Sequence, residues 1–266
     1  MLHGRMIRPP VPGASIVSVD ESSISDIPGA KVLRKGDFIG VVAPKEWDAI
    51  KASQKLKVNW TQVSDPFVDM NQIYDHIRNA PVTKSDKNEK GDLAAAFAKA
   101  AKIVEAEYEW PFQSHASMGP GCAVADVKAD GTTTVWTGTQ KPHFAAQGVA
   151  GCLGVPVEKV RAIWVTGPGS YGRNDAGDAA ADAAVMSQLA GKPVRVQWMR
   201  DEGLAWDPKG TAAVNRLRAG IDANGEVIAY EYISKAFSRE NVATNEGRSE
   251  EHTSELQSLR HLVCRL

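Results

Sequence analysis

One nine-residue stretch, Gly167-Pro168-Gly169-Ser170-Tyr171-Gly172-Arg173-Asn174-Asp175, constrains this chain more than any other. It separates an apolar strand pattern at 160–165 from a small-residue helix pattern at 176–190. Its glycines let the backbone approach a ligand with no Cβ in the way. A helix after such a loop turns N–H groups and the positive end of its dipole towards that ligand, which favours an anion and most often a phosphate. A strand, a glycine loop and a helix in this order predict a mixed fold with a ligand held at the bend.

The 266 residues suit one large or two modest domains. An apolar content of 43% is enough to bury a sizeable core. The net charge of −1 leaves no broad basic field, so no nucleic acid or anionic membrane partner is expected. No apolar run reaches the roughly 18 residues that a membrane span needs. The N-terminus has neither the apolar core nor the cleavage site of a signal peptide, and an internal fragment would lack both too. The compartment therefore stays open. Cys122, Cys152 and Cys264 form no C-x-x-C pair and are too few for a disulfide framework, so they read as buried free thiols.

Along the chain, 14–19 alternates, 36–43 reads as a buried strand, 47–56 as a helix and 57–60 as a closing strand. Residues 61–92 are polar and broken by Asp65-Pro66, and read as a linker or long exposed loop. An alanine-rich helix is predicted at 93–102. In 104–110, Val104, Ala106, Tyr108 and Trp110 share one face, with Glu105, Glu107 and Glu109 on the other, which predicts a half-buried strand with a solvated acidic side. Strands follow at 122–127 and 132–136 around the Asp130-Gly131 turn. Pro142 opens a helix that Gly154 ends. A strand at 194–199 and a hairpin around Asn224-Gly225 complete an α+β fold without internal repeats.

From Arg248 the pattern fails, with no helical face and no strand alternation. One back-translation of 248–258 reads as a common sequencing adapter in frame, so 248–266 is expected to be a non-native tail. That reading also implies that the natural chain is truncated near Gly247.

The glycine loop alone matches the G-x-G-x-x-G dinucleotide fingerprint, with Asp201 or Glu202 after the next strand. Pro168, the polar run after Gly172 and the loop's late position in the chain weaken that match. Three further runs stand in register with it: Gln113-Ser-His-Ala-Ser-Met-Gly-Pro120, Trp136-Thr-Gly-Thr-Gln-Lys-Pro-His143 and Gln197-Trp-Met-Arg-Asp-Glu202. Together the four resemble the molybdenum hydroxylase family of xanthine dehydrogenase and aldehyde oxidase, in the bacterial isoquinoline- or nicotinate-oxidising form.

The resemblance implies that 1–62 is the end of the hammerhead α/β domain, 63–92 a linker, and 93–247 most of the first molybdopterin-binding domain. It places Gln140 where an amide N–H₂ donates to the metal's oxo ligand, although a strand-end glutamine capping the next helix reads equally from the residues. Gly169, Ser170, Tyr171, Gly172 and Arg173 match the loop around the metal and pterin, with Arg173 open to a cofactor phosphate, a substrate carboxylate or a surface ion pair. The family commonly has phenylalanine at 171 and glycine at 173. Asn174 or Asp175 occupies the place of a substrate-orienting acid, and Asp175 reads equally as a helix N-cap. His115 and Met118 are turn residues near the cofactor or packed core groups, and Arg200 is expected to pair with a carboxylate.

The implied cofactor is molybdenum-molybdopterin, whose forms include the cytosine dinucleotide. The implied partners are a small subunit carrying a 2Fe–2S cluster, a flavin subunit or cytochrome c, and a small-molecule substrate. The implied reaction hydroxylates an N-heteroaromatic or aldehyde carbon with water. The general-base glutamate is expected farther downstream, so the fragment alone is expected to be inactive and to expose an apolar surface. A dinucleotide-dependent oxidoreductase and a non-catalytic scaffold are the alternatives.

Overall fold

A computed structural model describes residues 1–64, 69–167, 169–174, 176–207, 209–237 and 260–264. In chain order the elements are β1 (Leu2–Met6), β2 (Ile16–Asp20), β3 (Lys31–Lys35), β4 (Phe38–Ala43), α1 (Glu46–Lys55), β5 (Lys57–Trp60) and α2 (Ile73–Asn79). They continue with β6 (Asp86–Glu89), α3 (Leu93–Ala98), β7 (Lys102–Trp110), β8 (Cys122–Val127), β9 (Thr133–Thr137), α4 (Pro142–Leu153) and β10 (Val160–Trp164). The last are α5 (Ala176–Ala190), β11 (Val194–Gln197), α6 (Arg200–Trp206), β12 (Ala213–Ile221), β13 (Val227–Ala236) and β14 (Arg260–Cys264). The expected α+β class is what the chain adopts.

The described residues fall into two compact units, one of 1–64 and 114–207, the other of 69–113, 209–237 and 260–264. The first holds a seven-stranded sheet in the order β10-β9-β8-β11-β1-β4-β3. Only β9–β10 and β1–β11 pair in parallel within it. The 1–62 segment thus gives three strands to the same sheet as 122–197, and the sheet shows no break at residue 62.

The alanine-rich α5 lies on one face of this sheet. Its Ala179, Ala180, Ala183 and Ala184 pack with Ala125, Val135, Val149 and Val196. Small side chains let helix and sheet come close, so Met186 seats itself over Gly4 and Gly40 of β1 and β4. A Cβ at either glycine would run into the Met186 thioether. On the opposite side of β4, Ile39 and Val41 pack with Ala52 and Leu56 at the end of α1. Strand alternation thereby gives β4 two buried faces. Burying this segment on both sides is what its unbroken apolar run requires.

The second unit is a five-stranded sheet in the order β6-β14-β13-β12-β7. Residues 61–92 are not simply a loop: they carry α2 and β6. Ile73 and Ile77 of α2, one helical turn apart, pack against Ala212, Val214 and Phe112. Two apolar residues among polar ones are too weak a periodic signal to predict this helix. Arg260–Cys264 pairs with β13 and β6, although the sequence predicts no strand in the tail. A sheet edge offers N–H and C=O groups to almost any extended segment, which is how an unpatterned run becomes a strand.

The alternating β7 forms as predicted, but its apolar side is not covered. Val104, Tyr108 and Trp110 are 44%, 58% and 51% exposed. The glutamate side is the one that other groups meet: Arg78 of α2 binds Glu107 and Glu109, and Arg218 binds Glu105. Cys122 is half-buried, whereas Cys152 is exposed because it faces away from the buried side of α4. Among the described residues no helix is long and apolar enough to cross a membrane.

Candidate functional site

The end of β9 and the glycine loop meet backbone to backbone. A Cβ on Gly138 would collide with the Gly167 backbone, and a Cβ on Gly167 with the Gly138 carbonyl. The Val165 N–H donates to the Thr137 carbonyl at 3.1 Å, and Thr137 Oγ1 donates to the Ala176 carbonyl at 2.8 Å. Gln140 follows Gly138 by two residues, is exposed, and has no hydrogen-bond partner among the described residues. It does not cap α4. The N-cap there is Lys141, which makes no side-chain capping bond, and the Lys141 N–H donates to Thr139 Oγ1 at 3.3 Å. The Gln140 amide is thus an exposed donor two residues from the strand end that meets the loop.

The loop itself is a tight turn closed by the Arg173 N–H on the Ser170 carbonyl at 3.1 Å. Its central residues Tyr171 and Gly172 have φ of +53° and +115°, as in the mirror-image turns that normally use asparagine or glycine. The Tyr171 side chain is 64% exposed and folds back over Gly169. Among the described residues the N–H groups of Gly169, Ser170 and Tyr171 have no protein partner. These three are the donors that a ligand would meet.

The helix N-terminus is not the donor set. The Ala176 N–H already donates to Asn174 Oδ1 at 3.2 Å, and Asp178 sits in the first turn of α5. Asn174 is buried, and its Nδ2 donates to the Gly138 carbonyl at 3.1 Å. Both ends of that amide tie loop to strand, so its place is structural. Asp175 lies outside the described residues. Arg173 also faces inward: its Nη2 binds Asp178 at 2.6 Å and its Nε lies 3.4 Å from Asp207. The guanidinium is a strut under the loop, held by two internal carboxylates.

A second loop, 114–118, braces the first. His115 Nδ1 binds Asp207 Oδ2 at 3.1 Å, and the imidazole edge lies where a Cβ of Gly172 would be, 2.8 Å from Cδ2. Ser117 Oγ donates to the Arg173 carbonyl at 3.2 Å. Among the described residues Arg200 has no carboxylate partner. It donates to the carbonyls of Ser117 and Met118 at 2.7 and 2.6 Å, satisfying acceptors that this bent backbone cannot place in a sheet. Asp207 and Asp178 are site residues that sequence reasoning misses. An acid at a helix end carries no pattern that marks it as a loop anchor.

Two further charged clusters lie in the same unit. Asp182 of α5 accepts from Arg8 at 2.6 Å and from Trp198 Nε1 at 2.8 Å, and the Arg8 guanidinium stacks over the Trp198 ring. Glu202 lies beside Arg8, and burial pushes its carboxyl above the usual carboxylate range. Across the sheet Glu46 accepts from both Arg195 and Arg5, which hold its carboxyl below that range. Burial pushes the Cys122 thiol up. Among the described residues no group of three His, Cys, Asp or Glu side chains is placed to hold a metal ion.

The dinucleotide reading does not survive this geometry. A doubly wound domain needs the strand before the loop at the centre of a parallel sheet, whereas β10 is an edge strand and most pairings are antiparallel. The described residues instead form an α+β sheet whose β9 end packs on a glycine turn with free N–H groups. The family profile of the molybdopterin cofactor-binding domain matches residues 75–236, and the chain belongs to that family.

One of the nicotinate dehydrogenase subunits of Pseudomonas putida (strain KT2440) is 40% identical over 241 residues, 87% of this chain and 20% of that one. The beta subunit of isoquinoline 1-oxidoreductase from Brevundimonas diminuta is 29% identical over 234 residues, 83% of this chain and 30% of its own. Quinoline 2-oxidoreductase from Pseudomonas putida 86 shares the fold, with a TM-score of 0.66 at 21% identity over 88% of this chain and 35% of that one. The aldehyde oxidoreductase of Desulfovibrio gigas does so with a TM-score of 0.68 at 17% identity, over 87% and 30%. The chain thus spans about a fifth to a third of the length of these relatives.

Proposed function

We propose that this chain supplies part of the cradle for a molybdenum-molybdopterin cofactor in an oxidoreductase that hydroxylates an N-heteroaromatic or aldehyde carbon with water. The observation that supports this reading is the Gly138–Gly167 backbone contact, which packs the strand end that leads to Gln140 against the start of the glycine loop. The donors fit the group. An anionic oxygen-rich centre needs N–H donors without added charge, and the loop and Gln140 offer those. When bound, the cofactor supplies the oxygen-transfer and two-electron chemistry.

This chain's residues bind and orient. The Gln140 N–H₂ and the N–H groups of Gly169, Ser170 and Tyr171 would hold the anionic oxygens of the group. Arg173 and Asn174 keep the loop in shape from beneath. Tyr171, exposed and folded over Gly169, would be open to substrate. The names of the similar proteins, nicotinate dehydrogenase and isoquinoline 1-oxidoreductase, favour an N-heteroaromatic substrate. A glutamate general base belongs to a longer polypeptide, so the chain alone binds cofactor without turning substrate over. A partner subunit carrying a 2Fe–2S cluster would take the electrons and pass them to a flavin subunit or cytochrome c.

Titration of the purified chain with molybdopterin released from a molybdoenzyme, followed by pterin fluorescence, tests the reading. Saturable binding of one pterin per chain is expected. Gln140→Ala is expected to leave stability within about 0.5 kcal/mol of wild type, because the side chain is exposed, while weakening binding roughly tenfold for one lost charge-assisted bond. Release of cytosine nucleotide on hydrolysis of the bound pterin distinguishes the dinucleotide form. A chain that binds no pterin is a scaffold, and the proposal is then wrong.

A further inference from the structure

We infer that Asp207 and His115 are positioning residues for the glycine loop, holding its free N–H groups in register from behind. The inference rests on the reading of that loop as the cofactor cradle. Asp207 ends α6, and its carboxylate is 2% exposed. One oxygen takes His115 Nδ1 at 3.1 Å, and the other faces Arg173 Nε at 3.4 Å. A carboxylate oxygen can only accept, so the imidazole carries its hydrogen on Nδ1. That bond aims the Cδ2–Nε2 edge of the ring at Gly172, with Nε2 3.2 Å from the missing Cβ. One buried carboxylate therefore grips both loops, the second through Arg173.

Both loops are strained. Ala116 and Tyr171 are the described non-glycine residues with positive φ, at +46° and +53°. Such conformations persist only where the surroundings over-determine them. Besides Asp207, Ser117 Oγ on the Arg173 carbonyl and the imidazole against Gly172 link the loops. The charged groups that meet this cluster are Arg173, Asp178 and Arg200. Without the Asp207–His115 bond the imidazole is free to rotate off Gly172, and Tyr171 relaxes to negative φ. The Gly169–Tyr171 N–H groups then diverge.

The test uses the full chain and two readouts. The Arg173 amide, bonded to Ser170, reports loop closure by hydrogen exchange, and molybdopterin titration reports the cradle. His115→Ala and Asp207→Ala are expected to speed exchange at Arg173 roughly tenfold and to weaken pterin binding about as much, as the loss of one hydrogen bond to a charged group would. Exchange in β8 and the middle of α5 stays unchanged. His115→Asn, whose amide replaces the Nδ1–H but not the ring edge on Gly172, restores part of both effects, which a loss of packing alone would not. If Asp207→Ala does not fold, the His115 pair decides. Wild-type exchange at Arg173 in His115→Ala, or no recovery in His115→Asn, overturns the inference. Exchange is read without cofactor, so a wild-type chain that binds no pterin refutes the cofactor reading while leaving the brace to be judged by exchange.

Discussion

Asn174 Nδ2 donates to the Gly138 carbonyl at 3.1 Å, and the same side chain accepts the Ala176 N–H at 3.2 Å. One buried amide thus fastens the approach to α5 onto the end of β9. Asn174→Asp keeps the shape but sets an oxygen against a carbonyl that has lost its donor. A loss of about 2 kcal/mol in urea unfolding is expected, as for a buried acceptor left unsatisfied. A variant as stable as wild type would mean that the amide does not fasten the loop.

Gly167→Ala puts a methyl group into the Gly138 backbone, which has no flexible side chain to move aside. Overpacking of this kind costs about 1–3 kcal/mol. The melting temperature is expected to fall, and pterin binding to fall further, because strand end and loop must part. Gly151→Ala is the control, since nothing lies within 4 Å of its Cβ position. Equal melting of the two variants would refute the contact.

Glu202 gives a pH dependence with a definite sign. Burial raises its carboxyl pKa in the fold above the ordinary value of 4.5. The folded chain therefore holds a proton that the unfolded chain releases, and this contribution to stability is present below about pH 4.5 and lost as pH rises through the folded value. Glu202→Gln has no such proton and keeps an oxygen for the Met199 N–H. The melting temperature of Glu202→Gln minus that of wild type should rise from about pH 4 to about pH 7. A difference that is flat or falls over this range would show that Arg8, not burial, governs the group.

The elements written in local signals were legible in the sequence. Gly131, Gly154 and Gly225 mark the ends of strands and helices where the structure puts them, and the strand, loop and helix around Gly167 follow in the expected order. What stayed hidden was set by distant residues. The alternation of Val104, Ala106, Tyr108 and Trp110 fixes which residues share a side, but not what lies over that side. Arg173 and Arg200 read from the sequence as charges awaiting a ligand or an acid. The structure spends one on Asp178 and Asp207 and the other on two carbonyls, partners that become neighbours only after folding. The Asp207–His115 bond joins residues with no spacing rule between them.

Leu2 pairs with Val194 and Gly4 with Val196, in parallel. During synthesis β1 must therefore wait for a strand that leaves the ribosome long after it. Closing so long a loop is slow, and until it closes β1 keeps a raw edge open to mispairing. Yield of soluble protein at synthesis should thus depend on chaperone supply, and shortening the chain before β11 would leave β1 paired with β4 alone and its other edge open.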